Sequence, residues 1–217
     1  MQKNLTISVI LPVYNSEKYI GRCLRSLKRQ SVDKKNYEIV IIDDCSTDNS
    51  LKEINKYKNN QFKILKNKKN IGLPASLNKG ILNATGTLIV RVDSDDWVHE
   101  DFLNILSTFL YINDGLDAVS CDYSTVDDAE KTLKIENSEK KPIGCGIMFK
   151  LQNLLDLGLY DENFKYAEEE ALRKVFLKKY KITRIPLSLY RYRIHQNNRS
   201  KNNKLVNFYS KKIKNEK

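Results

Sequence analysis

The sequence predicts an α/β fold in which a mostly parallel sheet is flanked by helices. Short apolar runs alternate with segments of helical periodicity through the first hundred residues, which is typical of parallel strands joined by crossover helices. The runs are also nearly continuously apolar, as strands buried on both faces should be. The 217 residues, 41% of them hydrophobic, are enough for one domain of this kind.

The first half holds four predicted strands with helices between them. The strands are predicted at residues 7–11, 39–42, 62–65 and 88–92, and Pro12 is expected to stop the first. Apolar side chains at helical spacing predict helices near 20–27, 51–54 and 77–84. Two polar residues interrupt the apolar runs, Ser8 in the first strand and Arg91 in the fourth.

The second half is less regular. Residues 102–110 and 168–179 are predicted helices, and residues 118–121 and 144–149 are predicted strands. The polar stretch 127–141 is predicted to be an exposed loop or hairpin. The helix at 168–179 has an acidic start and a basic end, which suits the helix dipole.

Polar residues follow three of the predicted strands, at the edge where ligands bind in open parallel sheets. They are Pro12, Tyr14 and Asn15, then Asp43 and Asp44, then Asp93, Asp95 and Asp96. Each group alone could be a turn or a helix cap. Together at one edge the carboxylates would repel one another without a cation. Oxygen-rich sites of this kind suit Mg²⁺ or Mn²⁺.

Four segments in order along the chain carry a resemblance to a known family. Residues 9–15 (VILPVYN), 43–48 (DDCSTD), 70–73 (NIGL) and 93–96 (DSDD) resemble family-two inverting glycosyltransferases with the GT-A fold. The resemblance covers about residues 5–195. It implies a nucleotide-sugar donor, usually a UDP-sugar, a saccharide or lipid-linked acceptor in cell-surface glycan synthesis, and Mn²⁺ or Mg²⁺.

The resemblance also implies roles for individual residues. The nucleotide-sugar would be bound by Pro12, Tyr14, Asn15, Asp43, Asp44, Asn70, Gly72, Asn78, Asp93 and Ser94. Asp95 would bind the metal, and His195 is a candidate second ligand. Cys45 departs from the family, which usually has glycine there. Cysteine would be strained if that position needs a positive φ.

The catalytic base is expected in the second half. An inverting transfer needs a carboxylate to take the proton of the acceptor hydroxyl. The family places an acidic pair at the start of a late helix, which here corresponds to residues 168–170, and Glu169 is the predicted base. The alternative is that the three glutamates only favour a helix N-terminus. Arg191 and Arg193 could neutralise the leaving diphosphate or be surface charges on an edge strand.

Other functions fit less well. A nucleotidyltransferase would have a glycine-rich basic loop after the first strand, and residues 12–16 contain neither glycine nor lysine. A nucleic-acid binder is disfavoured because no recognisable motif accompanies the basic charge, so no nucleic-acid partner is expected. A catalytically inactive nucleotide-binding relative stays open, although Asp93, Asp95 and Glu169 argue against it.

The charge distribution predicts the remaining organisation. The net charge is +11, and residues 201–217 hold six lysines and one glutamate. Residues 200–217 are therefore predicted to be a basic tail, which could form an amphipathic helix on an anionic membrane. Residues 1–199 would be the catalytic domain, with a donor half at 1–98 and an acceptor half at 99–199. Without a predicted signal peptide or membrane span, a cytoplasmic location is expected, with peripheral contact at the inner face of the membrane.

Overall fold

The computed structural model describes residues 6–196 and 198–215, which form a mixed sheet flanked by helices. The strands are β1 (Ile7–Val13), β2 (Tyr37–Asp43), β3 (Phe62–Lys66), β4 (Leu88–Arg91), β5 (Trp97–Val98), β6 (Ala118–Val126), β7 (Thr132–Glu136), β8 (Ile147–Lys150) and β9 (Ile182–Arg193). The α-helices are α1 (Ile20–Lys28), α2 (Ser50–Tyr57), α3 (Leu73–Leu82), α4 (Phe102–Ile112), α5 (Leu151–Asp156), α6 (Glu168–Lys179) and α7 (Asn203–Asn215).

All nine strands of the described residues belong to one sheet, in the order β3-β2-β1-β4-β8-β6-β9-β5, with β7 paired to β6. The strands β3, β2, β1 and β4 pair in parallel. Strand β8 runs antiparallel to both β4 and β6, and β6 pairs in parallel with β9. The predicted fold class is therefore confirmed, and the antiparallel strand β8 joins the parallel first half to the second half.

The alternation of side chains along each strand places helices on both faces of the sheet. In β1, Val9 and Leu11 pack into the core that α1, α2 and α4 cover. Ile10 points to the opposite core, which α3, α5 and α6 cover. Both faces of the first strands are thus buried, which explains their continuously apolar sequence. The carboxyl ends of these strands remain open to a ligand.

The first strand is longer than predicted because Pro12 does not end it. Strand β1 continues to Val13, and Pro12 pairs with Ile42 of β2. The Ile10 carbonyl accepts a hydrogen bond from the N–H of Val92, so the backbone groups of Ile10 point toward β4. Backbone groups two residues apart on a strand point to the same side, so the nitrogen of Pro12 also faces β4. Pairing with β4 has already ended at Arg91, so no ladder hydrogen bond is lost there.

The structure differs from the predicted pattern mainly in two very short elements and in the bounds of two strands. Strand β5 has two residues and α5 has six, too few for a periodic signal. Strand β6 extends five residues beyond its predicted end at residue 121, because β7 and β9 pair with that extension. The predicted strand at 144–149 begins later, at Ile147, after a turn in which Gly146 has φ +72°.

Helix α7 occupies most of the predicted basic tail. It packs against α6, where Ile213 is buried with Phe164, Ala167 and Ala171. The ring of Tyr209 stacks on Tyr166 at 6.2 Å between centroids. Part of the apolar face of α7 is therefore covered by the protein itself. Among the helices of the described chain, none combines the length and apolarity required to cross a bilayer.

Candidate active site

A cavity of about 610 Å³ opens where the carboxyl ends of β1, β2 and β4 meet the start of α6. Most of the residues predicted from the sequence line it. They are Pro12, Tyr14, Asn15, Asp44, Asn70, Gly72, Asp93, Ser94, Asp95, Glu169 and His195. Two predicted residues, Asp43 and Asn78, are not brought to the cavity.

Asp43 and Asn78 make hydrogen bonds within the protein. The buried Asp43 accepts from the backbone N–H of Ser46 at 3.2 Å, which shapes the turn after β2. The side chain of Asn78 donates to the carbonyl of Tyr160 at 2.8 Å and accepts from the N–H of Tyr160 at 2.9 Å. Asn78 therefore connects α3 to the segment before α6 and stabilises the protein around the cavity without lining it.

Asp44 holds the loop before α3. Its Oδ1 accepts from the N–H of Ile71 at 2.8 Å and from the side chain of Asn67 at 2.8 Å. Its Oδ2 accepts from the N–H of Gly72 at 2.9 Å. Both carboxylate oxygens are thus occupied by donors of this loop. Asp44 fixes the position of Asn70 and Gly72 along the cavity.

The loops after β1 and β2 support each other through Asn15. Its side-chain oxygen accepts from the N–H of Thr47 at 2.8 Å, and its own N–H donates to Ser46 Oγ at 3.1 Å. Both loops carry positive φ, +49° at Asn15 and +64° at Cys45. The glycine that the family usually has at position 45 suits this backbone, and cysteine is strained there.

The segment 93–96 sends its side chains in different directions. Asp93 is paired with Arg91, whose Nε lies 2.6 Å from Oδ1. Ser94 shares a hydrogen bond of 2.7 Å with Ser16. Asp95 faces the cavity, where its Oδ2 lies 2.8 Å from Nε2 of His195. The two residues are a hundred positions apart in sequence, so β4 and the end of β9 bring them together.

Asp96 points inward to a cluster with Asp93 and Cys145 whose ligand atoms lie within 4.8 Å of one another. The hydroxyl of Tyr190 and the N–H of Arg193 both donate to Asp96 at 2.8 Å. Burial, with the charges of Asp95 and Asp93, raises the pKa of Asp96 well above its ordinary value. Burial likewise raises the pKa of the Cys145 thiol. A metal here would have to displace these donors and protons. Asp95 and His195 face the cavity beside this cluster.

The three glutamates at the start of α6 have three different environments. Glu168 is buried and lies 3.1 Å from Nη1 of Arg91. Glu170 accepts from the hydroxyl of Ser210 on α7 at 2.6 Å. Glu169 lines the cavity. Burial and the neighbouring Glu168 raise the pKa of Glu169, which suits a proton acceptor.

Arg91 connects the two halves of the site. It is 8% exposed, and its guanidinium binds Asp93 beside the donor loops and Glu168 at the start of α6. Burial would lower the pKa of Arg91, but the two carboxylates raise it well above its ordinary value. A Cβ at Gly144 would lie 3.0 Å from Nη1 of Arg91 and 2.9 Å from Cβ of Glu169. Glycine is therefore needed for this close approach.

Sequence reasoning treated Arg91 only as an interruption of an apolar strand. A charge in the middle of a buried strand is itself a signal, because an arginine is almost never buried unless it is paired. Its partner Glu168 lies 77 positions away, so the sequence alone could not identify it.

Arg193 supports the site and does not line the cavity. Its Nε donates to the carbonyl of Asp95 at 3.0 Å, and its guanidinium lies between the rings of Tyr19, at 5.0 Å, and Trp97, at 4.7 Å. Arg193 is 3% exposed, so the alternative that it is a surface charge on an edge strand is wrong. Its guanidinium is covered by Tyr19 and by Trp97 of β5.

The fold and the cavity define a glycosyltransferase of the GT-A type. The chain belongs to the family described as "Glycosyl transferase family 2", which it matches over residues 8–176. The match includes the segments that carried the resemblance and reaches into α6.

Two relatives match different shares of the chain. The "Poly(ribitol-phosphate) beta-N-acetylglucosaminyltransferase TarS" of Staphylococcus aureus is 39% identical over 108 residues, which are 49% of this chain and 19% of TarS. An "Uncharacterized glycosyltransferase" of Haemophilus influenzae is 29% identical over 97% of this chain and 72% of its own length. The aligned segment thus makes up only about a fifth of the length of TarS.

Solved structures of TarS confirm the fold. The crystal structure of S. aureus TarS residues 1–349 in complex with UDP superposes with a TM-score of 0.77 at 25% identity, covering 94% of this chain and 65% of that one. The complex of the same fragment with UDP-GlcNAc superposes with a TM-score of 0.81 at 24% identity, covering 96% and 65%.

Proposed function

We propose that this glycosyltransferase transfers a sugar, with inversion, from a UDP-sugar to a saccharide or lipid-linked acceptor in cell-surface glycan synthesis, with Mn²⁺ or Mg²⁺ as cofactor. One observation carries the proposal: Asp95 from the first half of the chain, and His195 and Glu169 from the second half, all face the same cavity. The relatives support it, since TarS is named as a poly(ribitol-phosphate) transferase and a TarS fragment binds UDP.

The donor would lie between the loops after β1 and β2 and the loop before α3. Tyr14 is half exposed at the cavity and can pack on the base, while Asn70 and Gly72 line the same wall. In this proposal Asp43 and Asn78 support the donor site without touching the nucleotide, and Asp44 acts through the loop it holds. Residues 1–98 would form the donor half and 99–199 the acceptor half, joined through Arg91.

The residues at the cavity fit a divalent cation. Asp95 offers a carboxylate and His195 an imidazole nitrogen, 2.8 Å apart, and Asp95 keeps about a quarter of its side chain exposed. Mg²⁺ and Mn²⁺ commonly bind through one or two carboxylates together with phosphate oxygens of the substrate. When bound, the ion would neutralise the charge on the diphosphate.

The protein residues account for the rest of the chemistry. Glu169 takes the proton of the acceptor hydroxyl, whose oxygen attacks the anomeric carbon of the donor sugar. The bond from that carbon to the diphosphate breaks, and the diphosphate leaves with the electron pair. Arg91 keeps Glu168 paired, so that Glu169 is the carboxylate at this helix start that is available to the acceptor.

Calorimetry with nucleoside diphosphates tests the proposal. UDP should bind in the presence of Mn²⁺ and lose most of its affinity when a chelator is added, because the acidic wall would otherwise repel the diphosphate. GDP, CDP and dTDP serve as controls for base selectivity. Equal UDP affinity with Mn²⁺ and with chelator would contradict metal dependence, while tighter binding of GDP would contradict a UDP-sugar donor.

Peripheral membrane contact through α7 belongs to the same proposal. Phe208 is 61% exposed, and Lys204, Lys211 and Lys214 are exposed on the same helix. Replacing the three lysines by glutamine should weaken binding to phosphatidylglycerol vesicles, since each basic side chain near such a surface contributes about 1 kcal/mol. Co-sedimentation measures this, with phosphatidylcholine vesicles as control. Identical pelleting of the variant and the parent protein on anionic vesicles would remove this part of the proposal.

A further inference from the structure

A second cavity lies outside the proposed donor site, between α1 and the paired strands β5 and β9. It has a volume of about 230 Å³ and an arginine-rich wall. Its polar and charged lining comes from Arg22, Ser26, Arg29, His99, Glu100 and Arg191. Three arginines face one glutamate, so the lining carries an excess of positive charge that the proposed function does not use.

Arg191 provides the main evidence that this cavity binds an anion. Its guanidinium donates to the carbonyl of Ser188 at 2.8 Å and to that of Tyr190 at 3.3 Å, which are neutral acceptors. Burial lowers the pKa of Arg191. No carboxylate lies within ion-pair distance of it in the described part of the chain, whereas Arg91 has two such partners and Arg193 has one. A cation partly removed from water without a counter-charge is costly, and an anion would offset that cost.

The other two arginines reach the cavity from α1. Arg22 lies over the ring of Trp97 at 4.9 Å and pairs with Glu130 at 3.1 Å. Arg29 is exposed at the end of α1 and has no ion pair within the described ranges. A basic residue at a helix C-terminus can simply complement the helix dipole. That account explains Arg29, but it does not explain Arg191, which comes from β9.

We propose that this cavity binds a phosphate group of a phosphate-bearing acceptor, an inference that rests on the proposed transferase function. Planar guanidinium groups bind phosphate oxygens in pairs, which suits a site with three arginines. The volume of 230 Å³ is several times the roughly 30 Å³ that one water molecule occupies in the liquid, so a phosphate ester fits with its waters.

The position of Trp97 connects this cavity to the transfer site and limits what else can bind. Arg22 lies over its ring at 4.9 Å, and Arg193 lies over the same ring at 4.7 Å. Arg193 in turn binds the carbonyl of Asp95. Trp97 is only 7% exposed, so it offers no surface on which a nucleic-acid base could stack. A phosphate bound beside Trp97 would thus lie next to the segment that carries Asp95.

Trp97 is also the single tryptophan of the chain, so its fluorescence reports on the cavity directly. Glycerol 3-phosphate should change the emission saturably, and glycerol at the same ionic strength should not. The variant carrying Arg29→Gln and Arg191→Gln should bind glycerol 3-phosphate at least tenfold more weakly. Arg25→Gln is the matched control, because Arg25 lies on the same helix but stacks on Tyr57 away from the cavity.

The outcomes separate this inference from the proposed function. UDP affinity should stay unchanged in all of these variants, because the cavity lies outside the proposed donor site. If the parent protein itself does not bind UDP, that result counts against the donor assignment and not against this inference. Should the double variant fold poorly, Arg29→Gln alone, at an exposed position, should still weaken phosphate binding. Parallel titrations with phosphatidylglycerol vesicles decide whether a lipid headgroup or a soluble ester is preferred. The inference would be overturned if the parent protein and the double variant bound glycerol 3-phosphate with equal affinity and also bound phosphatidylglycerol vesicles with equal affinity.

Discussion

Replacing Glu169 by glutamine should lower sugar transfer by about 10²–10⁴-fold, the usual contribution of a well-placed general base, while UDP affinity stays nearly constant. The amide keeps the size of the side chain but cannot accept the proton of the acceptor hydroxyl. Glu169 lines the cavity, and burial together with Glu168 raises its pKa. Initial rates of UDP-sugar turnover measure the effect, and calorimetry with UDP and Mn²⁺ measures donor binding.

The neighbouring glutamates are the controls for this variant. Glu170 is engaged by Ser210, so Glu170→Gln should keep most of the activity. Glu168 is paired with Arg91, so Glu168→Gln should reduce thermal stability as well as rate. If all three variants lost activity and stability together, the three carboxylates would only stabilise the helix start. If Glu169→Gln transferred sugar at the rate of the parent protein, another residue would have to be the catalytic base. Asp161 would be a poor substitute because it does not line the cavity.

The pH dependence of transfer follows from the same assignment. A base must be deprotonated, so activity should fall as the pH drops through the pKa of Glu169. Because that pKa is raised, the fall should occur above the ordinary glutamate value of about 4.3. Glu168→Gln removes one cause of the raised pKa and should move the acid limb to lower pH. A limb that does not move would argue against Glu169 as the titrating group.

The parts of the fold that the sequence predicted are those in which a local pattern is sufficient. Strands β1, β2 and β4 are nearly continuous apolar runs, and the bounds of α6 follow from its acidic start and basic end. The short strand β5 exists because β9 pairs with it, and no local pattern encodes that partner. Likewise Pro12 ends a strand only where its nitrogen faces a pairing neighbour, which depends on how far β4 extends.

The candidate site was predictable to the extent that its residues follow strands or open a helix. Asp93, Asp95 and Glu169 occupy such positions and reach the cavity as expected. Asn78 was predicted to bind the nucleotide-sugar, but its amide is engaged by Tyr160, 82 positions later. Arg91 shows the opposite case, since its role is visible only when Asp93 and Glu168 are seen on either side of it.

Replacing Asp95 by alanine should abolish Mn²⁺-supported UDP binding. Loss of an outer-shell partner already costs about 10–100-fold in metal affinity, and loss of a carboxylate ligand should cost at least as much. Asp93→Ala should weaken binding less, because Asp93 is held by Arg91. Calorimetry of Mn²⁺ and UDP gives the affinity. Asp114→Ala, at an exposed loop position remote from the cavity, controls for loss of a surface carboxylate.

Cys145→Ser distinguishes the two places where the ion could lie. Cys145 belongs to the cluster with Asp93 and the buried Asp96, whereas Asp95 is paired with His195. If Asp95 and His195 hold the ion, Cys145→Ser should bind Mn²⁺ like the parent protein, and His195→Ala should weaken it. The reverse pattern, with Mn²⁺ affinity lost in Cys145→Ser and retained in Asp95→Ala, would place the ion in the inward cluster. Unchanged turnover in Asp95→Ala would likewise remove Asp95 as a ligand, because a transferase that depends on the ion cannot tolerate its loss.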